Sequence, residues 1–164
     1  GTFRKANFYK SERVLSGASA EYADYRDIEK RLESLLQKYD KLDWSLVSEK
    51  GEVVSDFLLA LWSIHPFREG NTRTCITFFW HYLKGKGVDF QVALLRNNPM
   101  YVRDSLVMAN FDRKEYLRKI ISDALQGDVG KTKYTMDAEG AGEQYKIAKA
   151  DYEAFREMYS IKKE

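Results

Sequence analysis

The sequence predicts a mainly helical domain with a short β-hairpin near its start, and three observations carry that expectation. Apolar residues recur at spacings of three and four through most of the chain after Asp24. Pro66, Gly70, Gly85, Gly87 and Pro99 stand between those periodic stretches as helix stops and starts. The first 20 residues alone mix aromatics, charges and the pair Ser16-Gly17 without a helical period, which suits a hairpin or extended flap over residues 5–16.

The elements follow in order. Ile28, Leu32, Leu35, Leu36 and Tyr39 mark an amphipathic helix. Val53, Val54, Phe57, Leu58, Leu61, Trp62 and Ile64 form a stripe broad enough for the most buried helix, which Pro66 should end, leaving His65 at its terminus. Ile76, Phe79, Trp80 and Leu83 give the next helix, closed by Gly85 and Gly87. Further helices are expected over residues 89–96, 99–109 and 112–125, with Pro99 suited to a first turn. Gly127 and Gly130 mark a break. Tyr145, Ala148, Tyr152, Phe155 and Tyr159 then share one face of a helix expected over 143–160, suited equally to intramolecular packing and to a homo-oligomer contact.

At 164 residues and 44% hydrophobic content the chain can bury one sizeable core, and no repeat or linker divides it, so residues 1–164 read as a single domain. The 27 basic and 25 acidic residues nearly cancel, which argues against a nucleic-acid or membrane-surface partner. No apolar run approaches the roughly 20 residues that span a bilayer. The single cysteine, Cys75, excludes an intramolecular disulfide and suits a reducing compartment. His81 lacks a second histidine or cysteine nearby and reads as a packed or surface residue.

Between two apolar helices lies His65-Pro66-Phe67-Arg68-Glu69-Gly70-Asn71-Thr72-Arg73. Glycine followed by small polar residues at a helix start can turn successive backbone N–H groups toward an anion, so Gly70, Asn71 and Thr72 are candidates for holding phosphates. Arg73 offers a planar fork for phosphate oxygens, and Glu69 is a hard oxygen ligand of the kind Mg²⁺ uses together with substrate phosphates. His65 can accept a hydroxyl proton near neutral pH. Phe67, apolar among polar neighbours, would anchor the loop. Residue types alone fit equally an ordinary polar connection in which His65 caps a helix and Glu69 and Arg73 form a solvated pair.

The run resembles the signature of Fic proteins, His-x-Phe-x-Asp/Glu-Gly-Asn-x-Arg, at every defined position. That resemblance implies a small helical fold in which the loop joins two central helices. It also implies transfer of AMP from ATP to a Tyr, Ser or Thr hydroxyl of a protein, which could be the enzyme itself, with Mg²⁺ as cofactor. Carried over, His65 is the general base, Glu69 holds the metal, the Gly70–Thr72 backbone and Arg73 bind phosphates, and Phe67 supports the nucleotide site. The phosphotransferring Doc group departs in the acidic and second-glycine region, whereas Glu69-Gly70-Asn71 keeps the AMP-transfer form. A bacterial cytoplasm is the expected location.

Three further features follow from the same resemblance. Gly1-Thr2-Phe3-Arg4 resembles the Ala-Gly-x-x-Arg stretch that in many members precedes a target-docking hairpin flap, and the stretch from Asn7 to Leu15 resembles that flap, which assigns Phe8, Tyr9 and Val14 to target binding by strand addition. Members carry helices ahead of that stretch, so the expectation is a chain that begins inside the domain. Thr135-Met136-Asp137-Ala138-Glu139-Gly140 is similar to the Ser/Thr-x-x-x-Glu-Gly/Asn inhibitory motif, with Glu139 as the residue that would obstruct the triphosphate or, alternatively, assist removal of AMP. Many members place a second arginine where this chain has Ile76, which leaves a nucleotide-binding module without turnover as the competing expectation. Tyr101 and Met108 are candidates for lining the base pocket, from the need of adenine for apolar walls.

Overall fold

The computed structural model describes residues 2–126 and 145–163. Its described residues form seven helices: α1 (Ile28–Asp40), α2 (Lys50–Ile64), α3 (Asn71–Gly85), α4 (Val92–Arg96), α5 (Pro99–Asn110), α6 (Glu115–Leu125) and α7 (Lys149–Lys163). The helical class and the order of its central elements agree with the sequence reading. No helix among the described residues is long and apolar enough to cross a membrane.

Helix α2 lies at the centre and packs against α1, α3, α5 and α6. Its breadth of apolar surface explains that place, because a helix hydrophobic on most sides must be covered on most sides. Val54, Phe57, Leu58, Leu61 and Trp62 are all buried there. Tyr39 of α1 stacks on Phe57 with ring centres 4.0 Å apart, and Phe57 meets Phe79 of α3 edge-on at 4.7 Å. Burying side chains of this size stabilises by about 1.5–3 kcal/mol each, so this aromatic column fixes α2 and α3 as rigid supports for the loop between them.

Two expectations need correction. No strand occurs among the described residues, and residues 5–16 do not form a β-hairpin. The segment instead closes through a 3-10 turn at Arg13–Leu15, followed by Ser16 at φ 54°. Val14 and Leu15 pull that turn into the core, so the backbone rolls inward and cannot present a flat ladder. Glu12 N–H donates to the Ala18 carbonyl at 2.9 Å, but Lys10 N–H goes to the Ser19 hydroxyl, and the pairing stops there.

The last helix starts later than its aromatic spacing suggests. Tyr145 and Ile147 are buried in the approach to α7, and the helix begins at Lys149. Tyr145 packs on Tyr101 at 5.2 Å and its hydroxyl donates to Asp123, so it is held by α5 and α6 instead of continuing a helical face. In the same way α4 begins at Val92 and α6 at Glu115, after the expected starts. Phe155 and Tyr159 of α7 pack edge-on against Phe111, which places that face inside the molecule.

Candidate active site

Two left-handed backbone positions build the loop between α2 and α3. Pro66 disfavours a helical conformation at the preceding residue, and His65 leaves α2 at φ 51°, ψ 60°. Gly70 caps α3 at φ 74°, a conformation that costs glycine little because it lacks Cβ. The helix N–H groups beyond it have no intrahelical partners and open toward the loop.

Asn71 fastens the loop to itself. Its Oδ1 accepts from Phe67 N–H at 2.9 Å and its Nδ2 donates to the Phe67 carbonyl at 2.7 Å. Its side chain is therefore committed to the loop, and only its backbone remains available to an anion. Phe67 is half-buried, with its ring 5.8 Å from that of Phe3. Thr72 Oγ1 accepts from Trp62 Nε1 at 3.0 Å, tying the first turn of α3 to the last turn of α2. Replacing Asn71 by alanine removes both loop bonds and should lower stability by about 2 kcal/mol in urea unfolding. Asn71→Asp keeps an acceptor for Phe67 N–H and should fall between the two.

His65 is 1% exposed. Its Nδ1 lies 3.1 Å from the Trp62 carbonyl, and because a carbonyl only accepts, Nδ1 carries the proton. Nε2 therefore presents a lone pair, and it is buried without a hydrogen-bond partner among the described residues. Tyr22 stacks on the imidazole at 3.8 Å and 24°, Trp62 meets it edge-on at 5.2 Å, and Phe8 lies 5.8 Å away. Burial pushes the imidazole down to about 4, the Trp62 hydrogen bond works against that, and the charges of Lys10, Arg4 and Arg103 add to the lowering. The ring is neutral at physiological pH.

Arg4 holds the C-terminal end of α2 in place. Its Nε donates to the His65 carbonyl at 2.7 Å and its Nη2 to the carbonyls of Ala23 and, at 3.4 Å, Ile64. Its Nη1 donates to the Ala6 carbonyl and to Asn7 Oδ1, both at 3.0 Å, while its backbone N–H donates to the Pro66 carbonyl at 2.8 Å. A cation among the last carbonyls of a helix also complements their negative end.

Around this frame, Glu69, Arg68 and Arg73 are exposed at the mouth of the loop. Glu69 supplies a single carboxylate, and among the described residues no group of three potential metal ligands converges. That donor set fits Mg²⁺ delivered with a nucleotide, where phosphates and water complete the shell. Phe8 stacks on Tyr22 at 5.8 Å, Tyr9 is 67% exposed with its hydroxyl donating to the Gly17 carbonyl, and Val14 is fully buried. Val14 is thus unable to face a target. Tyr101 lies on α5, where its hydroxyl donates to the Tyr116 carbonyl at 2.7 Å. It lines a cavity of about 480 Å³ with Asn97, Asn98, Tyr145 and Tyr152, and no residue of 65–73 lines that cavity. Met108 and Ile76 are core residues, His81 is exposed and Cys75 is buried. Thr135 and Glu139 lie outside the described residues.

Three site residues were not assigned from the sequence. Tyr22 covers His65, Glu12 is 3% exposed behind it, and Arg103 of α5 grips Glu12 with Nε to Oε2 at 3.1 Å and Nη2 to Oε1 at 2.9 Å. Glu12 and Arg103 stand 91 positions apart, so no local spacing signals the pair.

The fold and the loop together define a class: a helical domain in which a buried neutral imidazole ends one helix and a left-handed glycine opens the next beside an exposed acid and arginine. The model of the Fic/DOC family matches residues 1–83, slightly more than half of the 164, and the chain belongs to that family. The match contains Arg4, Tyr22, the whole loop and nearly all of α3. No curated protein and no solved structure matches the chain.

Proposed function

We propose that this chain is a protein adenylyltransferase that moves AMP from ATP to a Tyr, Ser or Thr hydroxyl of a protein. The observation that carries the reading is His65, held neutral with its lone pair on Nε2 at the end of α2, in one loop with the Gly70 opening of α3. In this reaction the hydroxyl oxygen bonds to the α-phosphorus, the bond from that phosphorus to the bridging oxygen breaks, and pyrophosphate leaves. The hydroxyl proton passes to His65 Nε2.

The remaining loop residues have compatible tasks. Backbone N–H groups of Gly70, Asn71 and Thr72 would hold phosphate oxygens with the help of the helix dipole, and Arg73 would pair with them. Glu69 would hold Mg²⁺, which supplies charge neutralisation on the triphosphate when bound. Phe67 and the Asn71 side chain keep the loop shaped for these contacts.

The sequence motif ending in Glu139-Gly140 supports control of the site by Glu139, whose carboxylate would compete for the cationic partners of the triphosphate. Incubation with ATP and Mg²⁺ followed by intact-mass measurement should give an increment of one AMP on the chain or on a co-incubated target. Glu139→Gly should raise the labelled fraction several-fold. Equal labelling of the two forms would remove Glu139 as a restraint, and an increment of a different nucleotide or of phosphate would replace AMP transfer by another group transfer.

A second reading, a nucleotide-binding module without turnover, draws support from Ile76. That residue is packed into the core of α3, where many members have a phosphate-binding arginine. Mg²⁺-dependent ATP binding by calorimetry, with no adduct even from the Glu139→Gly form, would favour it.

A further inference from the structure

Tyr22 lies outside the loop, yet among the described residues no side chain approaches the imidazole more closely face to face, with ring centres 3.8 Å apart and planes 24° from parallel. It is not free to swing. Its edge meets Trp62 with ring centres 5.6 Å apart, and its hydroxyl points to Glu12 Oε1 at 3.5 Å. Glu12 is in turn fixed by the two-pronged grip of Arg103 and by the backbone, since its carbonyl accepts from Leu15 N–H at 3.1 Å and from Gly17 N–H at 2.9 Å. Burial raises the Tyr22 hydroxyl well above its ordinary range, so it stays protonated and can donate to Glu12.

We propose that Tyr22, braced by Glu12 and Arg103, is a positioning residue for the His65 base: its ring fixes the plane of the imidazole and keeps water from Nε2. The proposal rests on the reading of His65 as the base. The Trp62 carbonyl chooses the tautomer by holding Nδ1–H, but one hydrogen bond leaves the ring free to tilt about it. A stacked face removes that freedom. Nε2 then keeps its lone pair unsolvated until a hydroxyl reaches it, which spares the base the loss of a bound water before each proton transfer.

Among the described residues, the charged and titratable groups around the imidazole are Arg4 and Lys10 from the N-terminal segment, Arg103 from α5, and Tyr22 with Glu12 behind it. The cations all oppose protonation, and Tyr22 contributes by excluding water. Removing the Tyr22 ring therefore lets solvent reach the imidazole and makes it easier to protonate.

The test is an NMR titration of the two imidazoles in the full chain, assigned with His81→Gln, alongside the pH profile of AMP labelling. Wild-type His65 should titrate near pH 4, and Tyr22→Ala and Tyr22→Leu should move it up toward the ordinary 6.5. Tyr22→Phe keeps the stacked ring but loses the hydroxyl link to Glu12, and Glu12→Gln weakens that link, so both should fall between wild type and Tyr22→Leu. The acid limb of labelling should move with the titration. Tyr22→Leu that folds, by circular dichroism, yet leaves the His65 midpoint at the wild-type value would overturn the proposal. A shifted midpoint in a protein that never labels would keep Tyr22 as the positioning residue and remove the transferase reading. Labelling with an acid limb that ignores Tyr22 would do the reverse.

Discussion

Replacing His65 by alanine is expected to lower AMP labelling by about 10²–10⁴-fold while leaving nucleotide binding nearly unchanged. The reason is local. His65 Nε2 is the only ring nitrogen in the loop with a free lone pair, and the residues proposed to hold phosphates lie five or more positions further on. Alanine removes the proton acceptor without touching Gly70, Asn71 or Arg73. Calorimetry with Mg-ATP on both proteins separates the two effects, and comparable labelling by His65→Ala would remove His65 as base.

The same residue sets a pH dependence. With its folded pKa lowered to about 4 against 6.5 for an ordinary histidine, His65 is protonated more readily in the unfolded chain than in the folded one. Its contribution to stability is complete above pH 6.5 and is lost as pH falls toward 4. The loss over that window is about 3 kcal/mol. Wild type should therefore lose about that much more stability than His65→Ala across the same window, measured by urea unfolding. Labelling should lack an acid limb down to about pH 5, because the base remains neutral there.

Arg4→Ala is the second large effect expected, at about 3–5 kcal/mol of unfolding free energy in guanidinium chloride. The buried guanidinium serves the carbonyls of Ala6, Ala23, Ile64 and His65 together with Asn7 Oδ1. Truncation leaves the buried carbonyls of Ala23 and His65 without this donor, so the cost exceeds the loss of any one bond. Arg4→Lys should recover less than half, since an ammonium cannot span acceptors set this far apart in one plane. A loss within about 1 kcal/mol of wild type would show that the carbonyls find other donors or water.

The sequence carried the central architecture because its signals are local. Pro66 and Gly70 bracket the loop, and the apolar periods of α1, α2 and α3 each lie within one helix, so their existence and order could be read directly. The place of the loop from His65 to Arg73 between α2 and α3 was legible for the same reason. What failed involved partners far along the chain. Tyr145 fits a helical period with Tyr152 and Phe155, but its partners on α5 and α6 hold it outside α7. The N-terminal segment was read as a hairpin because Ser16-Gly17 signals a turn, and the burial of Val14 and Leu15 decided its shape instead. Tyr22, Glu12 and Arg103 carry no common spacing, and only the packed fold brings them beside His65.

Arg4 also bears on the order in which the chain can be assembled during synthesis. It emerges from the ribosome before any carbonyl it binds, and its His65 partner follows 61 residues later. Until α2 has been completed the carbonyls of Ile64 and His65 are absent from its acceptor set, and burying the guanidinium without them is unfavourable. Closing a loop of that length is opposed by chain entropy, and the gain appears only once Ala23 and the end of α2 are both in place. Arg4, made before its partners, is thus among the last groups to dock, and until it docks the end of α2 and the loop that follows it lack their clamp.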